Sequence, residues 1–141
     1  MDVKLREFKP EDLNLILTTW SKSYYQHLTE KPPKSIFFKN HTEHIKKILA
    51  ESVCLVAVAH DDDSQIIGYS VYSDKGEKCL HYVYIKALFR GMQFSRLLLA
   101  PLGEMFLISH YTSDLKHLKH KYKMVFNPYR FYFEGQSCKS E

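Results

Sequence analysis

LHYVYIKALFRGMQFSRLLL, residues 80–99, passes from an apolar, strand-like run through Arg90-Gly91 into a leucine-rich pattern of helical spacing. A strand that feeds a short turn and then a helix directs several free backbone N–H groups toward one point. The helix start adds a partial positive charge there, so the junction suits an anion with several oxygens, such as a phosphate.

Outward from this junction the pattern is alternately sheet and helix. Val3 to Phe8 alternates apolar and charged residues as a short edge strand does, and Lys9-Pro10-Glu11-Asp12 opens a helix with acidic residues in its first turn. That helix is expected to run to about His27. Its apolar stripe is Leu13, Ile16, Leu17 and Trp20, with Tyr24 continuing it. Lys31-Pro32-Pro33 interrupts the pattern, and a second helix starts at about Ser35 or Asn40 and reaches Ala50.

Val53 to Ala59, Ile66 to Ser73 and Cys79 to Lys86 then read as a three-stranded meander, turning at Asp61-Asp62-Asp63-Ser64 and at Lys75-Gly76-Glu77. The helix after Arg90 is expected to extend to about Phe106, kinked or ended by Pro101. Leu107 to Thr112 reads as a strand, residues 113–122 as a short helix, and Met124 to Phe133 as a closing strand. Polar residues 134–141 are expected to form a disordered tail.

The 141 residues are 45% hydrophobic and 26% charged, which suits one globular domain with a real core. The formal net charge of +4 favours an anionic ligand or acidic partner without requiring nucleic acid. Three cysteines (Cys54, Cys79 and Cys138) share no metal spacing, and the N-terminus has no apolar signal-like run. A reducing cytoplasmic setting is therefore expected. The apolar runs fall short of the roughly 20 residues that cross a bilayer.

Arg90, Gly91, Met92, Gln93, Phe94 and Ser95 occupy the six positions of a motif, Arg/Gln-x-x-Gly-x-Gly/Ala, that follows a strand and a short turn. In this the chain resembles the GNAT superfamily of acyl-CoA-dependent N-acyltransferases. Arg90, Gly91 and the small Ser95 match, as do Ile85 and Leu97-Leu98-Leu99, while Gln93 stands where the family has its central glycine. The order strand, two helices, three antiparallel strands, helix, strand, helix, strand extends the likeness over most of the chain. The phrases LHYVYIK, FRG, SHYT and YKMVFNPY are similar to small GNAT-like proteins of bacteriophages.

The resemblance implies a single α/β (α+β) GNAT-like domain over residues 1–141, with a mixed, mostly antiparallel sheet flanked by helices on both faces. It implies acetyl-CoA as co-substrate, its pyrophosphate held by residues 90–95 and its pantetheine arm paired with the backbone of Val83, Tyr84 and Ile85. It also places His81 where many members carry a catalytic glutamate. Simple alternation sets His81, Val83 and Ile85 on one face of that strand, with Tyr82 and Tyr84 on the other, and an imidazole there titrates near neutrality without special burial. The proton donor to the departing thiolate is matched by Tyr122 or, less closely, by Tyr111.

The acceptor is an amine on a small molecule or a protein. Tyr24, Tyr25 and Phe37-Phe38 on the acceptor side tilt the choice toward a protein or aromatic acceptor. The alternative is a catalytically silent GNAT-shaped binder, such as a phage factor that engages a host or virion protein. His41-Thr42-Glu43-His44 has the wrong gap for a zinc-peptidase helix, and His117 with His120 lacks a completing carboxylate, so no metal is expected. The lysines and histidines of residues 116–123 read as a solvated basic helix, not as a nucleic-acid site.

Overall fold

A computed structural model describes residues 2–110, 115, 118 and 120–128. Six strands form one sheet in sequence order: β1 (Val3–Glu7), β2 (Val53–Ala59), β3 (Asp62–Ser73), β4 (Cys79–Ile85), β5 (Met105–Ile108) and β6 (Lys123–Phe126). The first four pair antiparallel, and β4 with β5 and β5 with β6 pair parallel.

Between β1 and β2 lie α1 (Leu13–His27) and α2 (Lys34–Glu51). Their stripes Ile16, Trp20, Ile45 and Ile48 cover one face of the sheet, packing on Val56, Val58, Tyr69, Val71 and Tyr82. The opposite face holds Leu80, Val83, Phe106 and Ile108 beneath Leu98 and Leu99 of α3 (Phe94–Leu99) and Leu102 beyond it. Helices on both faces of a mixed sheet are the architecture expected of the sequence.

The start of α1 is fixed by an ion pair. Arg6 on β1 donates from both terminal nitrogens to Asp12, at 2.8 and 2.9 Å, and the Lys9 N–H donates to the same carboxylate at 2.8 Å. Burial opposes the Asp12 charge, but the Arg6 hydrogen bonds, the Lys9 N–H and the positive charges outweigh it and lower its pKa.

Several boundaries differ from the sequence reading. The β2–β3 turn is tighter, because Asp62, Asp63 and Ser64 belong to β3. Pro101 ends α3 outright: the helix stops at Leu99 and a single 3-10 turn, Ala100–Leu102, leads to Gly103 at φ 73°. The strand expected at 107–112 instead spans Met105–Ile108. The expected tail at 134–141, Cys138 and half of the expected 113–122 helix lie outside the described residues.

Candidate active site

β4 and β5 are neighbours over only two residue pairs, Cys79↔Leu107 and Leu80↔Ile108. β5 ends at Ile108, whereas β4 continues to Ile85. The two strands therefore part, and the β4 edge from Val83 to Ile85 borders a groove of about 420 Å³. Its walls are Val83, Ile85, Phe89, Arg90, Gly91, Gln93, Phe94, Ser95 and Leu118.

Seven of the nine residues expected to hold a cofactor line this groove. Tyr84 and Met92 do not. Tyr84 packs on the opposite face against Tyr69, with ring centroids 5.6 Å apart, and Met92 is 55% exposed in the turn. Phe89 and Leu118 are additions. Phe89 sits in a 3-10 turn, Ala87–Phe89, that swings its ring inward, and strand or helix periodicity gives no sign of that.

The turn into α3 takes the backbone shape that the glycine-bearing motif implies, although Gln93 replaces the glycine. Gly91 has φ 84° and Gln93 has φ 65°, ψ 22°; Gln93 is the only non-glycine with positive φ among the described residues. A side chain in the left-handed region costs roughly 1–2 kcal/mol. Glutamine recovers part of this by accepting a 3.0 Å hydrogen bond from Arg96. Gln93→Gly is expected to raise stability by about 1 kcal/mol, a few degrees in a thermal melt. An unchanged or lower Tm would show that the turn carries no such strain.

Arg90 does not extend freely into the groove. Its Nε donates to the Ile85 carbonyl at 2.9 Å, so the guanidinium closes the end of β4 and is held at the groove mouth.

His81 lies where β4 and β5 begin to part, and its surroundings correct the simple strand reading. Tyr82 faces Val71 and Leu80 faces Tyr72, which leaves His81 as the extra residue of a β-bulge. The bulge breaks the alternation: Leu80, not His81, joins Val83 and Ile85 in the α3-side core, while Tyr82 and Tyr84 stay with α1 and α2. The imidazole is buried, only 1% exposed. Its Nδ1 is 2.7 Å from Ser109 Oγ, which in turn is 2.9 Å from His110 Nδ1.

His110 leads into an aromatic cluster under α1 and α2. Its ring centroid is 4.8 Å from Tyr24, 5.2 Å from Trp20 and 5.6 Å from His41. His41 stacks against both Phe37 and Tyr24, and its Nδ1 is 3.2 Å from Ser21 Oγ. The sequence does carry a sign of this: His41 falls on the stripe Phe37, His41, Ile45, Ile48, the buried face of α2. Ser109-His110 carry no comparable sign beyond following the β5 run.

Burial, and next the proximity of His44, pushes the His41 pKa down to about 4. Burial, then His41, His81 and His44, pushes that of His110 well below the ordinary value. Both are neutral at pH 7. In the unfolded chain a histidine takes up its proton near 6.5, so as pH falls from there toward 4 the unfolded state binds protons that folded His41 refuses. Stability is then lost progressively across that window, by up to about 3 kcal/mol for His41, with His110 acting in the same direction. Thermal melts from pH 7 to 4.5 should show it, and His41→Phe should flatten the slope. A wild-type Tm independent of pH across this range would refute it.

Of the expected thiolate donors, Tyr122 is half-buried against the α3-side core, its ring 5.6 Å from that of Phe106. Tyr111 lies outside the described residues. On the far side of α1, a second cavity of about 770 Å³ between α1 and α2 is lined by residues that include Tyr25, Phe38, Lys22, Lys31 and Lys34, with no carboxylate in its wall. Among the described residues no group of three or more His, Cys, Asp or Glu is arranged to hold a metal ion, and no helix is long and apolar enough to cross a membrane.

In overall fold the chain is similar to solved structures that include GNAT-family acetyltransferases. A protein of Pyrococcus furiosus assigned as an acetyl transferase superposes with a TM-score of 0.58 at 14% identity, over 99% of this chain and 95% of that one. A GNAT family acetyltransferase from Brucella melitensis, solved in complex with acetyl-CoA, gives 0.51 at 16% identity, over 83% and 81%. Apo-form YjaB from Escherichia coli gives 0.50 at 19% identity, over 72% of this chain and 65% of that one, just under two thirds of its length. No protein-family model matches the sequence, and no curated protein does.

Proposed function

We propose that the protein is an acetyl-CoA-dependent N-acetyltransferase. The observation that carries this reading is the groove between β4 and the turn into α3. One wall is a strand edge open to hydrogen bonding, and the other is a turn with two left-handed positions, Gly91 and Gln93. An extended amide-bearing arm pairs with the first as a further strand would, and a pyrophosphate suits the backbone N–H groups of residues 91–95 together with Arg90. The acetyl-CoA complex of the Brucella neighbour supports this choice of ligand.

Val83 and Ile85 would hold the pantetheine arm by their backbone, and Arg90, Gly91, Gln93, Phe94 and Ser95 the phosphates. Binding requires Arg90 to release the Ile85 carbonyl or to share it. His81 would remove the proton from the attacking amine. Because its ring is 1% exposed, the acceptor must reach it through the cleft between β4 and β5. Tyr122 is kept as donor to the thiolate. Tyr111 is the alternative donor to the thiolate, and Tyr84, through its backbone alone, and Met92 complete the set proposed to contact the cofactor.

The acceptor is an amine of unassigned identity. The lysine-lined cavity between α1 and α2 disfavours a polyamine and suits an amine on an acidic or aromatic carrier, such as a protein segment.

Calorimetry with CoA tests the reading. A micromolar dissociation constant, about −8 kcal/mol, is expected, and it should not weaken in Gln93→Gly. Absence of heat at millimolar CoA from folded protein would overturn it. Tight CoA binding without transfer to any amine, lysine peptide or water would instead establish the catalytically silent binder, which for a phage-encoded chain means a host or virion partner.

A further inference from the structure

We propose that His81, Ser109 and His110 form one hydrogen-bonded unit, in which a single serine hydroxyl holds two buried imidazoles in opposite tautomers. Ser109 Oγ lies within hydrogen-bond distance of both Nδ1 atoms, at 2.7 and 2.9 Å, and has no third partner among the described residues. The hydroxyl owns one hydrogen. It donates to one Nδ1 and accepts from the other, so one ring carries its proton on Nδ1 and the other on Nε2.

One ring of the pair therefore carries its proton on Nε2 and the other does not. When His81 donates from Nδ1 to Ser109 Oγ, the hydroxyl donates to His110 Nδ1, and His81 Nε2 is the atom able to take a proton from the cleft. In the other arrangement His81 Nε2 already carries its proton and cannot act as a base. Ser109 and His110 thus select the tautomer of an imidazole that is itself 1% exposed.

The groups facing the unit are His41, 5.6 Å from His110, and His44 behind it on α2, with Trp20 and Tyr24 of α1 closing the other sides. Selection of the tautomer gives His81 a catalytic use that rests on the proposed acetyl transfer. The tautomer coupling itself does not depend on that reading. Ser109 is in this sense a positioning residue.

The test is two-bond 1H–15N spectroscopy of the free protein labelled in histidine, with His81→Gln and His110→Gln assigning the two rings. At pH 7.5 one imidazole is expected as the Nδ1–H form and the other as the Nε2–H form, or both at averaged shifts that move in opposite senses with temperature. Ser109→Ala should abolish the opposition and Ser109→Thr should keep it. Two rings in the same tautomer, or spectra unchanged in Ser109→Ala, would overturn the proposal.

Calorimetry and rates separate this from the functional reading. Ser109→Ala should bind CoA as wild type does, yet transfer acetyl roughly 10- to 100-fold more slowly, with Ser109→Thr restoring the rate. Opposite tautomers in a protein that binds no CoA would leave the tautomer coupling standing and refute the acetyltransferase. Bound CoA with equal tautomers would do the reverse.

Discussion

Replacing His81 by Ala is expected to slow acetyl transfer by roughly 10²- to 10⁴-fold, the usual contribution of a positioned base, while leaving CoA affinity nearly unchanged. An amine attacks a thioester only as the free base, and His81 is the titratable group at the point where β4 and β5 part. Transfer to a panel of amines and lysine peptides, and the slower hydrolysis of acetyl-CoA, should be measured for both proteins. Because the ring is buried, the variant's melt must be recorded alongside. Comparable rates in two folded proteins would remove His81 from the mechanism.

Gly68→Val is expected to have the largest effect on the fold. Gly68 pairs with Ile85 across the β3–β4 ladder, next to a second bulge between Ala57 and Val58 of β2. A Cβ at this position would lie 2.2 Å from the Tyr84 carbonyl oxygen and 2.7 Å from Ile85 Cδ1. The first of these is backbone and cannot rotate away, so β4 would have to move from β3. Overpacking typically costs 1–3 kcal/mol; a whole isopropyl group, with its Cβ against a fixed carbonyl, puts this change at about 4 kcal/mol, a large part of a domain's stability. Since Ile85 also lines the groove, CoA affinity should fall in whatever fraction remains folded. A melt within a degree or two of wild type would show that the strands give way easily.

Most of the fold was legible in the sequence because its signals are local. The stripe of Leu13, Ile16, Leu17 and Trp20, the run Val53 to Ala59 and the Pro32-Pro33 break each report burial or a chain break directly. The extent of α3 was not, since Leu102 and Phe106 continue a helical spacing and only the geometry shows that Pro101 ends it. The groove was legible through Arg90 to Ser95, where the left-handed Gln93 follows from the motif position. The bulge at His81 was not, because an inserted residue in a ladder depends on the partner strand: nothing in LHYVYI says that Val71 and Tyr72 will face Tyr82 and Leu80. For the same reason Ser109 and His110 went unnoticed as partners of His81, 28 and 29 positions away.

The parting of β4 from β5 has a consequence for handling the protein. Beyond Leu80 the strand presents main-chain donors and acceptors to a cleft, so the sheet has an edge in its interior as well as at its margins. Edges of this kind recruit extended segments of other chains, and Arg90 at the mouth is the one charged side chain among the described residues that line the groove. Concentrated protein without ligand should therefore self-associate through strand invasion, visible as a scattering signal that grows with concentration. A small molecule that fills the cleft would act as a solubiliser even where it barely changes the melting temperature.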